Sequence, residues 1–237
     1  MKILALECSA GPSSCAIVQD GKVLASNFMN VQLTHSQTLL PMVQRALNDT
    51  GISVNDLDVI AVSAGPGSFT GVRIGVATVK GLAFANHIPC AAVSTLAAMA
   101  HVADGAPFDG IVCCVMDARC QQVYTASFLC EGGKLSRLTE DEAIAIADLK
   151  ERLKNEKKDI LLVGDGSELC YTKLSNLPTV RLAPPHLRYQ TAVGVAYEAA
   201  LMAEREALTD ADKLLPFYLR LPQAERELRK KQSDNTL

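Results

Sequence analysis

Positive charge is in short supply. The 237 residues carry 23 Lys and Arg against 26 Asp and Glu, a formal net charge of −3. Nucleic-acid binders usually present a basic face, so this chain is expected to leave most of the holding of any nucleic acid to a partner. Its one basic cluster, residues 226–231, is mixed with Glu225 and Glu227. Metal-ligand spacing is missing as well. None of the eight cysteines forms a C-x-x-C pair, and no two of His35, His87, His101 and His186 stand four apart. Zinc is therefore not expected. The most apolar long window, residues 82–100, is broken by Asn86, His87 and Pro89, which excludes a membrane span. Only four apolar residues separate Lys2 from Glu7, too few for a secretory leader. With cysteines set mostly in apolar runs, the expected setting is reducing and cytoplasmic. There is no G-x-S-x-G elbow, and no Walker lysine closes the glycine-rich stretch.

What is present is a repeated element order. Residues 2–7 (KILALE) and 14–19 (SCAIVQ) read as strands, and Asp20 and Gly21 form a hairpin signal before a third strand. Thr34 and Gln37 have capping-box spacing, so a helix is expected to start near His35. Leu39, Leu40, Val43 and Leu47 form its apolar stripe, Gly51 ends it, and Pro41 is expected to kink it. A strand, a glycine turn, a helix over about 70–85, another strand and a helix from Thr95 follow. Residues 110–117 then start a second series of the same order, again ending a strand in an acid, Asp117. Two βββαβαβα lobes imply an α/β fold of two ribonuclease-H-like lobes, as in the actin, hexokinase and sugar-kinase superfamily. The expected divisions are 1–105, 106–215 and a peripheral tail, 216–237.

The glycine turn is SAGPGSFTGVRIGVATVKGLAFA, residues 63–85. Gly65, Gly67 and Gly71 allow a tight turn, and Ser68 or Thr70 could cap the helix. Free N–H groups at such a helix start attract anions. Equally, the glycines could serve close packing. Gly71 and Gly75 lie one turn apart, with Val72, Val76 and Val79 beside them. This helix is small or apolar nearly all round, so it is buried on more than one side. With the helix from His35 it could offer a flat face to a partner, or both could simply cover the sheet. A nucleotide-handling member of the superfamily needs acids at the ends of the first strands of both lobes. Glu7 and Asp117 occupy those places, with Gly65, Gly67 and Ser68 as weak phosphate candidates. Gly164, Asp165 and Gly166 are a thin candidate for an adenosine loop. The rival readings are a small-molecule kinase or ATPase of the same fold, a metallopeptidase, and a free-standing homodimer with a chaperone-like or regulatory role.

The segments ILALECS, THSQTLLPMVQRAL, AGPGSFTGVRIGVATVKGLAFA, VSTLAAMA, MDARCQQVY and LVGDGSELC resemble, in order, the bacterial TsaB (YeaZ) family over about residues 1–220. The resemblance implies a non-catalytic subunit of the machinery that makes N6-threonylcarbamoyladenosine in tRNA. It implies dimerisation with the catalytic relative TsaD, which modifies adenosine 37 of tRNAs reading codons that begin with A. It also implies support for an ATPase, TsaE, with tRNA held through the complex and a homodimer when isolated. ATP and a metal would be used by the partners, and this chain would bind no cofactor. The partner interface would involve His35, Leu39, Leu40, Val43, Leu47, Gly71, Val72, Gly75, Val76 and Val79. TsaD's metal-binding His-x-x-x-His pair looks matched here by Thr95 and Met99, neither of which replaces an imidazole. One departure is Glu7, where family members more usually carry Asp.

Overall fold

The computed structural model describes residues 1–31 and 33–220. Alternating and continuous apolar runs give β1 (Lys2–Glu7), β2 (Ser13–Gln19) and β3 (Lys22–Met29), a meander whose second turn uses left-handed Asp20 and Gly21. α1 (His35–Thr50), β4 (Val59–Gly65), α2 (Phe69–Phe84), β5 (Cys90–Ser94) and α3 (Thr95–Ala100) complete the first series. The second comprises β6 (Gly110–Asp117), β7 (Gln122–Glu131), β8 (Lys134–Arg137), β9 (Glu142–Ala145), α4 (Ile146–Leu153), β10 (Ile160–Val163), α5 (Ser167–Leu174), β11 (Val180–Leu182) and α6 (Ala192–Glu204). The first sheet has strand order β3-β2-β1-β4-β5, and the second repeats it as β8-β7-β6-β10-β11. β9 is an addition to the expected order. It pairs with Gln122–Thr125 at one end of β7 while β8 pairs with the other.

α1 begins at His35 as its cap predicts: the Gln37 side-chain oxygen accepts from Thr34 N–H at 3.3 Å and from the Thr34 hydroxyl at 3.0 Å. It ends on left-handed Gly51. The helix runs unbroken from His35 to Thr50 through Pro41, which lies on its exposed side. All eight cysteines are free thiols, seven of them buried. Burial pushes Cys15 up to about 12 and Cys113 up to about 11, so these thiols pack as small apolar groups. No helix among the described residues is long and apolar enough to cross a membrane.

Packing divides the strands by side-chain alternation. Leu4 and Leu6 of β1 face α1 and α2, whereas Ile3 and Ala5 face Ala192, Val195, Ala196 and Ala199 of α6. In the second sheet, Ile111, Cys113 and Val115 face α4 and α5, whereas Val112, Cys114 and Met116 face Leu96 and Met99 of α3. Each series therefore lends its last helix to the other's sheet. The expected cut at 105/106 follows the element order but not the packing. Thr209 also bridges to Cys90 at the edge of the first sheet.

The two exchanged helices cross at Gly194. A Cβ there would overlap the Ala98 carbonyl oxygen. Gly194→Val is expected to force the helices apart and cost about 3 kcal/mol of stability, seen as a lower melting temperature. An unchanged melting temperature would mean the crossing is not close in solution.

Candidate functional site

A cleft of about 500 Å³ opens between the lobes at the strand ends that carry Glu7, Gly65 and Asp117. Parallel strands β1 and β4, and β6 and β10, all point into this region, so one end of both sheets delivers the candidate residues together.

Glu7 is fully buried and its acceptors are occupied. Oε1 accepts from Ser9 N–H and the Ser9 hydroxyl, both at 2.6 Å, and Oε2 accepts from the Ser63 hydroxyl. Burial raises its pKa, and the bonds from Ser63 and Ser9 oppose that rise. Asp117 lines the cleft, but it accepts from Arg119 N–H at 2.8 Å and pairs with the Arg119 guanidinium at 3.3 Å. Asp165, also on the cleft, accepts from Gln190 Nε2 at 3.4 Å. Burial, assisted by the charges of Asp117 and Glu7, pushes it up to about 6. Among the described residues no group of three or more His, Cys, Asp or Glu could hold a metal ion. Thr95 and Met99 are buried, and a Cβ on Gly164 would stand 2.8 Å from the Met99 sulfur. Thr95 and Met99 thus lie in packed surroundings at the place the resemblance assigns to a metal pair.

The glycine turn is committed to packing. Ser68 N–H donates to the Ser9 carbonyl at 2.6 Å, and the Ser68 side chain caps α2 by accepting from Gly71 N–H at 3.3 Å. Any Cβ on Gly67 would collide with Ser9, and one on Gly71 with the Cys8 carbonyl. A Cβ on Gly75 would stand 2.7 Å from Cys8 Sγ and 2.9 Å from Val62. These glycines let α2 press against the start of the β1–β2 hairpin. Gly65, at φ 130°, faces instead the carbonyl of Phe217.

That contact corrects one expectation. The tail from 216 does not begin as a peripheral segment: residues 217–220 line the cleft. Phe217 N–H donates to the Ala64 carbonyl at 2.6 Å, and Tyr218 Oη accepts from Arg73 Nε at 2.9 Å. The Arg73 guanidinium sits 3.7 Å from the Phe69 ring centre. Residues 221–237, including the basic cluster, lie outside the described residues.

Most of the residues expected at a partner face turn inward in this chain. Leu39, Val43, Val72, Val76 and Val79 are buried in this chain's own core, and Leu47 packs at its edge. Gly71 and Gly75 face Cys8, as described above. His35 donates from Nε2 to the Ala10 carbonyl at 2.7 Å, tying α1 to the first hairpin. Only Leu40 of the ten lies wholly outside, at 54% exposure. The helices do cover the sheet, and their outward sides carry other apolar residues. Phe84 is 66% exposed, and Val31 and Leu33 on the loop before α1 are 51% and 54% exposed. Ala77 and Gly81 are also exposed, and a Cβ on Gly81 meets nothing. α1 and α2 each return the chain from the end of one strand to the start of the next parallel one, so they run side by side. Their first turns border a shallow groove with Val31, Leu33 and Ile74.

A second feature carried no sequence signal. Arg119, Cys120 and Gln121, between β6 and β7, are all left-handed, with φ of 65°, 55° and 56°. Such residues are disfavoured there by about 1 kcal/mol or more each. The turn is held by bonds from Ala118 N–H to Gln122 O (3.0 Å) and from Ile146 N–H to Gln121 O (3.0 Å).

The sequence profile of the family described as TsaD, tRNA N6-adenosine threonylcarbamoyltransferase, matches residues 29–228. The tRNA threonylcarbamoyladenosine biosynthesis protein TsaB of Bacillus subtilis is 33% identical, covering 95% of this chain and 96% of that protein. TsaB of Escherichia coli is 36% identical, covering 70% of this chain and 72% of that protein. YeaZ from Pseudomonas aeruginosa superposes with a TM-score of 0.77 at 29% identity, covering 92% of this chain and 99% of that one. At 14% identity, the ethanolamine utilization protein EutJ from Carboxydothermus hydrogenoformans (TM-score 0.52, covering 83% and 89%) shares the fold alone.

Proposed function

The chain belongs to the TsaB (YeaZ) family of tRNA threonylcarbamoyladenosine biosynthesis, and from that premise we propose that it is the non-catalytic subunit that activates a TsaD-like transferase. The observation that carries this reading is an exposed apolar patch on the outward sides of α1 and α2, set among the polar Gln37, Gln44 and Arg45 of α1. Leu40 and Phe84 stand out from it, and exposed Ala77 and Gly81 allow a second helix to approach closely. A partner built on the same fold presents two matching helices, so the face also serves a homodimer when the partner is absent. The cleft supports the same reading, since Glu7 is saturated by serine donors, and Thr95 and Met99 are packed away. Chemistry, ATP and metal then belong to the TsaD-like subunit and a TsaE-like ATPase. The negative net charge fits a subunit that meets tRNA through the complex.

The test is light scattering on a sizing column, with this chain alone and mixed with the TsaD-like protein of the same cell, followed by a tRNA-modification assay. A heterodimer, with modification only in the mixture, is the expected result. ATP turnover by the chain alone, or no complex in the mixture, would sink the reading.

A further inference from the structure

From Leu214, which is fully buried in the first core, to Arg220, the chain stays on the molecule. It crosses the mouth of the cleft and touches both lobes in turn. The first contact extends the end of β4 by one backbone bond, from Phe217 N–H to Ala64 O at 2.6 Å. The Phe217 carbonyl then fills the place that a side chain at position 65 would need. The Tyr218 ring lies 4.9 Å from that of Phe69, and its hydroxyl is held by Arg73. Arg220 reaches the second lobe, where its Nη1 donates to the Ala118 carbonyl at 2.7 Å. Ala118 opens the left-handed turn, so the guanidinium grips that turn at its first residue.

We propose that residues 216–220 are a strap that ties the lobes together across the cleft and limits its opening until the strap is lifted. The lobes are otherwise joined at the back of the cleft, by the exchanged helices α3 and α6 and by the Thr209–Cys90 bridge. A second tie at the mouth fixes how far the cleft can open. Because the strap lies over Gly65 and beside Phe69, it stands where an anion drawn to the first turn of α2 would enter. A binding partner that takes hold of this segment would release both lobes at once.

A tie between two bodies transmits in both directions, which gives the test. Amide hydrogen exchange on the full chain reads Ser68 N–H in the first lobe, and Ala118 and Gln122 N–H in the second. Arg220→Ala cuts the tie at the second lobe and should speed exchange at Ser68 about tenfold. Gly65→Ala pushes Phe217 off the first lobe and should speed exchange at Ala118 and Gln122 about tenfold, although an alanine at φ 130° also strains the end of β4, where Gly65 pairs with Ser94. Arg220→Lys, which keeps a donor, should fall between wild type and Arg220→Ala. Exchange that rises only beside the substituted residue overturns the strap. Should Gly65→Ala raise exchange everywhere, including in β1, Tyr218→Ala on the surface carries the same cross-lobe reading with the same two outcomes. No partner protein enters the experiment, so its failure would leave the assignment of the α1–α2 face standing.

Discussion

Leu40→Glu combined with Phe84→Glu is expected to leave the chain folded and to weaken its heterodimer with a TsaD-like protein about a hundredfold or more. Both side chains stand in solvent, at 54% and 66% exposure, so a carboxylate at either place loses little in the free chain. Against an apolar partner face, each would bury an unpaired charge. Val76→Asp makes the contrast. Val76 is 4% exposed within the first core, and an aspartate there should cost about 4 kcal/mol and lower the melting temperature before any partner is added. Sedimentation of the mixtures and thermal melts of the free variants check both halves. A Leu40/Phe84 double variant that still pairs at full affinity would move the interface elsewhere.

The second large effect is on pH. Asp165 titrates at about 6, raised from the ordinary 3.8, chiefly by burial. A carboxyl whose folded pKa is raised keeps its proton when the unfolded chain has lost its own. Stability is therefore highest below the ordinary value, falls as pH rises from about 4 through about 6, and is flat above that. Asp165→Asn removes this penalty while keeping an acceptor for Gln190 Nε2. The variant should be more stable than wild type by about 3 kcal/mol at pH 8 and equal to it near pH 3.5. Glu7, raised in the same direction, adds to the wild-type slope. Urea titrations of both proteins across this range decide the matter: parallel curves would mean that Asp165 ionises in the folded chain as it does in water.

Much of this architecture was legible in the residues. Thr34 and Gln37 mark the start of α1, Gly51 its end, and Asp20 with Gly21 the hairpin, because caps and turns are set by chemistry a few residues wide. Orientation was not. α2 is apolar or small nearly all round, so periodicity could not say whether Val72 and Val76 or Ala77 and Phe84 faced outward. Burial placed the valines inside and gave the outer side to residues of mixed size. The glycines misled in a related way. Gly65, Gly67 and Gly71 fit a phosphate turn, yet they face Phe217, Ser9 and Cys8, which are remote in sequence. The left-handed Arg119, Cys120 and Gln121 include no glycine, asparagine or aspartate to announce them. The contacts of residues 217–220 join positions about 100 to 150 apart, a range over which no local pattern speaks.

The exchange of final helices sets an order of events on the ribosome. Ile3 and Ala5 are made long before the helix that shields them, Ala192–Glu204. The amino-terminal sheet must therefore emerge with one face bare and wait for most of the chain to be translated. Domains generally mature in sequence as they are synthesised; here neither half has a finished interior until the other supplies it. A stop codon anywhere before residue 192 yields a first half missing one wall of its own core.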